Sequence, residues 1–239
     1  MERNTQAQLT VTIYSRFHNL KAICQQLSSL HSALDIRRKL FGEEHPITAV
    51  SYHLLRVTQQ KQGDLSSALQ STQRALDIRL KLFGEEHLST ADSYYSLGFI
   101  QYEQGNFTSA LQSKQRALHI RLKLLGEEHS STADSYHLLG VTQRKQGDLS
   151  SALQSSQRAL DIRLKLFGEE HSSTADSYHL LGVTQRKQDD LSSALQSSKR
   201  ALDIRLKLFG EEHSSSVDSY HLLGVIQRKK RRLVISSSV

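Results

Sequence analysis

Between Thr132 and Gln146, apolar and small residues return at three- and four-residue spacing as Ala133, Tyr136, Leu139, Gly140 and Val141. Residues so spaced share one side of a 3.6-residue turn, which predicts an amphipathic helix. Gly147 supplies the left-handed residue that ends such a helix, and Asp148 stands as the N-cap of a second one. The second segment carries Leu149, Ala152, Leu153, Ala159, Leu160, Ile162, Leu166 and Phe167 on a broader apolar face and stops at Gly168. The GEEHSS linker that follows offers Ser and Thr caps to the next helix. One unit is therefore a helical hairpin of roughly 15 and then roughly 20 residues.

The unit repeats. GEEH tetrads begin at 42, 84, 126, 168 and 210, a period of 42, and the stretch Gly126–Phe167 returns as Gly168–Phe209 with only Gly147 against Asp189 and Gln157 against Lys199 differing. Such near-identity reads as recent duplication. A fixed period of this size predicts stacked supersecondary units, each burying its apolar face against its neighbours. First helices are expected near 47–62, 89–104, 131–146, 173–188 and 215–230, and second helices near 22–41, 64–83, 106–125, 148–167 and 190–209. Gln6 to Leu20, with Leu9, Ile13, Phe17 and Leu20 as its stripe, reads as a divergent helix ahead of them. The chain thus divides into a divergent helix over 1–21, the array over 22–230 and a short basic, Ser-rich tail over 231–239. After Lys230 the sequence RRLVISSSV replaces the expected QGDLSSAL. The last first helix, with Tyr220, Leu222, Leu223 and Val225, is left without a second, which predicts self-association through an uncapped C-terminal helix.

Composition narrows the class. A single Pro, no Trp and 37 % hydrophobic residues suit an all-helical chain. One cysteine, Cys24, a polar N-terminus and no apolar run of about 20 residues lead to the expectation of a cytoplasmic protein that neither crosses nor binds a membrane. The net charge of +7 would suggest nucleic acid until it is located. Residues 126–167 balance five acids against five bases and 168–209 six against six, while 1–41 hold six bases against two acids and 210–239 five against three. The array itself is neutral, and no nucleic-acid partner is expected.

In the hairpin, Leu139-Gly140, Ala152 and Ala159 stand where a tetratricopeptide repeat places its packing residues, with Tyr136 at its first aromatic position. The 42-residue form, with LG, QGD, RALDIR and KLFGEEH, resembles the repeats of kinesin light chains and is similar to those of nephrocystin-type and NTPase-linked repeat proteins. The resemblance implies an all-α, right-handed α-solenoid of stacked antiparallel helix hairpins. It also implies a non-catalytic scaffold that binds a protein or peptide in a concave groove lined by the first helices. The alternative it leaves open is a regulatory or sensor array within a larger NTPase-linked protein.

Carried onto this chain, the groove positions are His137, Val141, Arg144 and Lys145, then His179, Val183, Arg186 and Lys187, then His221, Val225, Arg228 and Lys229. Upstream the column reads Val50, His53, Val57, Gln60 and Lys61, then Asp92, Tyr95, Phe99, Tyr102 and Glu103. A basic column with aromatic residues toward the N-terminus implies an extended peptide ligand carrying acids. Asp134, Asp176 and Asp218 share the column and are expected to pair with some of its bases.

No enzyme is expected. Of the twelve histidines, five recur one per linker and four stand at one position of the first helices, without the clustered spacing that zinc needs, so neither a metal nor a cofactor is implied. Asp134-Ser135-Tyr136-His137 holds the letters of a hydrolase triad, but on a helix Ser135 points about 100° from Asp134. The run Arg228-Lys229-Lys230-Arg231-Arg232 reads either as a nuclear signal or as cations at a helix C-terminus. Ser237-Ser238-Val239 has the form of a PDZ-domain ligand.

Overall fold

The computed structural model describes residues 25–236. The expected helix over 6–20 and the Ser-Ser-Val ending lie outside them. The described chain is helical, with no strand among its residues. After α1 (25–41) come α2 (Pro46–Lys61), α3 (Leu65–Phe83) and α4 (Leu88–Glu103). Then follow α5 (Phe107–Leu125), α6 (Ser130–Gln146), α7 (Leu149–Phe167), α8 (Ser172–Lys187), α9 (Leu191–Phe209) and α10 (Ser214–Ser236). Two compact units divide between Asn106 and Phe107. In the first, α2 packs on α3 and α3 on α4; in the second, each of α5 to α9 packs on its successor. This consecutive pairing is that of a helical-repeat solenoid.

Helix bounds fall within about two residues of those read from the period, except at the end. There α10 runs past Lys230 to Ser236. The basic run 228–232 therefore lies inside the helix, and the last turn holds no base to meet the dipole.

The first helices are capped by histidine rather than by the Ser and Thr expected of the linker. His45, His87, His129 and His171 adopt extended backbone, and each Nδ1 accepts the amide N–H two residues on, at 3.1–3.2 Å. His213 does the same for Ser215. An imidazole nitrogen lone pair meets the orphan amide as a capping hydroxyl would. Except at His129, which follows Leu125, the ring also stacks on the preceding phenylalanine, as in Phe167–His171 with centroids 4.4 Å apart. The Thr further on closes the linker, since Thr174 Oγ1 donates to Gly168 O at 2.9 Å. Of the second helices, α3, α7 and α9 start as expected from aspartate caps, Asp148 Oδ1 accepting from Ser151 N at 3.1 Å.

Two backbone positions carry the turns. Gly168 (φ 77°, ψ −174°) occupies a region open essentially to glycine, which lets its amide close on Leu164 O before the chain leaves α7. Asp189 (φ 65°) is the left-handed residue between α8 and α9, where α6 and α7 use Gly147.

The core is built from small residues. Ala133, Ala152, Ala159, Ala175, Ala194 and Ala201 have no exposed surface, letting helix backbones approach closely. A Cβ on Gly140 would lie 2.8 Å from Ser156 Oγ, which fixes how near α6 and α7 come. Polar positions lock each hairpin, as Ser71 donates to Gln59 Oε1 at 2.7 Å and Ser155 to Gln143 Oε1 at 2.8 Å.

Candidate peptide-binding face

In the second unit the first helices neighbour one another, α6 meeting α8 and α8 meeting α10. Asp134, His137, Val141 and Arg144 follow at three- and four-residue steps and so share one face of α6. The equivalents Asp176, His179, Val183 and Arg186 share one face of α8.

The inner end of this face is organised by an arginine of the second helix. Arg163 of α7 is buried. Its Nη2 donates to Asp134 Oδ1 at 2.9 Å, and its Nη1 donates at 2.9 Å to both Ser177 Oγ and Ser173 O of α8. The same Nη1 lies 3.4 Å from His137 Nδ1. One repeat on, Arg205 of α9 binds Asp176 at 2.8 Å, Ser219 Oγ at 2.8 Å and Ser215 O at 2.9 Å, with His179 at 3.4 Å. This corrects the expected pairing: Asp134 and Asp176 bind second-helix arginines, not the bases of their own column. Arg79 and Arg121 make the same reach onto Ser93 and Ser135 at 2.8 Å.

Burial and the Arg163 guanidinium push the His137 imidazole down to about 4 from 6.5. His179 is lowered for the same two reasons, with Arg205 as the cation. His53 of α2 is lowered by burial, then by Arg56 and Arg79. These three are neutral wall residues at pH 7, whereas His221 of α10 is exposed.

The outer end of the face carries the bases. Arg144 and Arg186 are half-buried, while Lys145, Lys187 and Arg228 are exposed. Lys145, Arg186 and Lys187 make no ion pair among the described residues. Lys229 pairs with Asp189, and Arg228 Nε donates to Gly224 O at 3.3 Å. Val225, Arg228, Lys229, Arg232 and Leu233 line an open hollow of about 510 Å³ along α10. Val183 packs on Leu191, Ala194, Leu222 and Ile226, so it serves the core as well as the face. Val141 is half-buried.

Tyr95, Phe99 and Tyr102 lie half-buried on α4 of the first unit, and Glu103 there accepts from Gln60 Nε2 at 2.9 Å. Sequence reasoning passed over three features: the Arg163 and Arg205 clamps, the histidine caps and the buried Lys114 of α5. The first two were legible as invariants of the period, Arg37, Arg79, Arg121, Arg163 and Arg205 at one position and the linker His at another. Lys114 was legible as the odd residue where the repeats otherwise have Leu30, Thr72, Ser156 and Ser198.

Comparison with curated proteins gives no match. Among solved structures the chain is similar to BtubC (BKLC) from P. vanneervenii, with a TM-score of 0.74 and 22% identity over 87% of this chain and 84% of that one. A Podosopora anserina protein assigned as a kinesin light chain, with nearly identical TPR-like repeats, gives 0.68 and 24% over 80% of this chain and 93% of that one. The apo form of RapI gives 0.69 and 17% over 87% of this chain and 55% of that one. At these identities the likeness speaks to fold, and its kinesin light chain members agree with the 42-residue pattern. The tetratricopeptide repeat model matches residues 27–81, 57–123, 90–165 and 151–207. The chain belongs to the tetratricopeptide repeat family.

Proposed function

We propose that this protein is a non-catalytic interaction scaffold whose first helices α6, α8 and α10 hold an extended, acidic peptide segment of a partner protein. The observation that carries this reading is the engagement of Asp134 and Asp176 by Arg163 and Arg205. With Asp134 and Asp176 satisfied from the second helices, Lys145, Arg186 and Lys187 keep their charge for a ligand. Half-buried Arg186 also holds a buried Nε with no hydrogen-bond partner, a donor suited to a carboxylate. Each exposed contact contributes about 0–1 kcal/mol, so several must act together and binding weakens with salt.

The test is calorimetric titration of acidic peptides carrying one aromatic anchor, against the wild-type chain and Arg144→Glu with Arg186→Glu. About tenfold weaker binding by the double variant, at unchanged helicity, is expected. Equal affinity reduces the column to a solvated face.

A further inference from the structure

Three hairpins show what a first helix receives from its second. Gln59 bonds Ser71, Gln143 bonds Ser155, and Gln185 bonds Ser197. In the two hairpins of the second unit an aspartate of the first helix also binds an arginine of the second, Asp134 with Arg163 and Asp176 with Arg205. Around these polar pairs Ala49, Ala133 and Ala175 are at most 1% exposed.

On α10 the same positions are bare. Val217 stands 52% exposed where Ala175 is fully covered, and Tyr220 is 45% exposed. Gln227 is exposed, and Gly224 opens onto empty space where Gly140 and Gly182 meet serine hydroxyls. Asp218, in the position of Asp134 and Asp176, makes no ion pair among the described residues. The opposite stripe of α10 is satisfied, with Leu222 and Ile226 buried on Leu191 and Ala194 of α9.

The complementary half is bare on α1. Ser29 is exposed at the position of Ser71, Ser155 and Ser197. With no glutamine of a first helix to meet it among the described residues, its Oγ donates back to Gln25 O at 3.0 Å. Ile36 is 57% exposed where its counterparts Ile78, Ile120, Ile162 and Ile204 are buried, and Leu40 is 69% exposed. Arg37 spends Nη1 on Ser51 Oγ at 2.6 Å, as Arg163 does on Ser177, yet makes no ion pair among the described residues. It lacks the aspartate that Arg163 and Arg205 hold.

We propose that α10 of one copy docks on α1 of a second copy of this chain in the hairpin register already used within it. Gln227 then meets Ser29, and Asp218 meets Arg37. Tyr220 and Val217 cover Ile36 and Leu40. Gln227 and Asp218 of α10 stand nine residues apart, as Gln143 and Asp134 do, and Ser29 and Arg37 of α1 stand eight apart, as Ser155 and Arg163 do. The polar groups of the two helices thus match in the register of the internal hairpins, and this selects a second copy over an unrelated apolar segment. The two surfaces differ, so every copy offers both. Association therefore runs head to tail instead of closing as a two-fold dimer. Of this surface only Asp218 belongs to the peptide-binding column, and the Ile36→Glu variant leaves that column untouched, so the two readings fail separately.

The test is sedimentation velocity on the full chain over a range of concentration, with far-UV circular dichroism as the folding control. One variant carries Asp218→Lys with Tyr220→Glu on α10, and a second carries Ile36→Glu on α1. All three positions are at the surface. The wild type is expected to pass beyond twice the single-chain mass as concentration rises, and each variant alone to remain a monomer. Their equimolar mixture is expected to stop at one dimer, joined through the single intact junction. Continued pairing of the Ile36→Glu chain alone would mean α10 binds α10 and would overturn the proposal. So would a mixture without dimer, or a wild type that stays monomeric until residues 1–21 are removed, which would assign the α1 face to that segment.

Discussion

Lys114 Nζ donates to Thr142 Oγ1 at 2.6 Å, from a side chain buried between α5 and α6. Burial pushes this ammonium down to about 8 from 10.5. The unfolded chain holds the proton between those two values and the folded chain releases it, so stability should rise as pH climbs from about 8 toward 10.5. Lys114→Met keeps the volume and removes the charge, and Thr142 still donates to Leu138 O at 2.8 Å. A gain of about 1 kcal/mol at pH 7 is expected, narrowing as pH rises. Denaturation midpoints at pH 7 and 9.5 check both the sign and the narrowing.

Arg163→Met should cost about 2–3 kcal/mol, because it withdraws charge-assisted bonds from Ser177 Oγ and the Ser173 carbonyl at a buried position. Asp134→Asn should cost under about 1 kcal/mol, since the carboxylate is half-exposed and screened. Urea denaturation of the two variants should preserve that order, and a reversed order would mean that the ion pair outweighs the inter-hairpin bonds.

The neutral histidines set an acid limit. His137 titrates near 4 when folded and near 6.5 when unfolded, and His179 and His53 are lowered as well. Their contribution is complete above pH 6.5 and is lost as pH falls toward 4. Melting temperature should drop across that window, and His137→Gln should flatten the drop. NMR titration of the imidazole resonances supplies a direct check.

Asp189→Gly relieves a left-handed aspartate, worth roughly 1 kcal/mol, and removes an exposed pair with Lys229. A net rise in stability of about 0.5 kcal/mol is expected. Asp189→Asn, which tolerates the left-handed region, should fall between the two chains. A fall with glycine would show that the Lys229 pair dominates.

The helices were legible because period and face are one-dimensional properties: Tyr136, Leu139 and Val141 announce a helix wherever it sits. Which partner a side chain takes is not of that kind. The bases of Asp134's own helix, Arg144 and Lys145, lie about 15 Å further along it. Asp134 instead binds Arg163, 29 residues on, because the hairpin folds back to bring that guanidinium to it. The linker histidines were misread for a related reason. Sequence preference ranks Ser and Thr as caps, whereas stacking on Phe167 holds the His171 ring where its nitrogen meets the amide first. The C-terminal end of α10 was misplaced because the apolar repeat stops at Lys230, while helix propensity carries the backbone to Ser236.

The two-armed arginines make neighbouring hairpins thermodynamic neighbours. Arg163 and Arg205 each grip an aspartate behind and a serine ahead, so loosening one hairpin withdraws a donor from the next. In the α2–α3 hairpin the rear arm has nothing to hold, because Val50 stands where the aspartate would be. Along a nearly one-dimensional array, such a missing link marks where cooperativity is thinnest. Amide exchange should therefore read α2 and α3 as a separate, earlier-opening block, while α6 to α9 exchange as one.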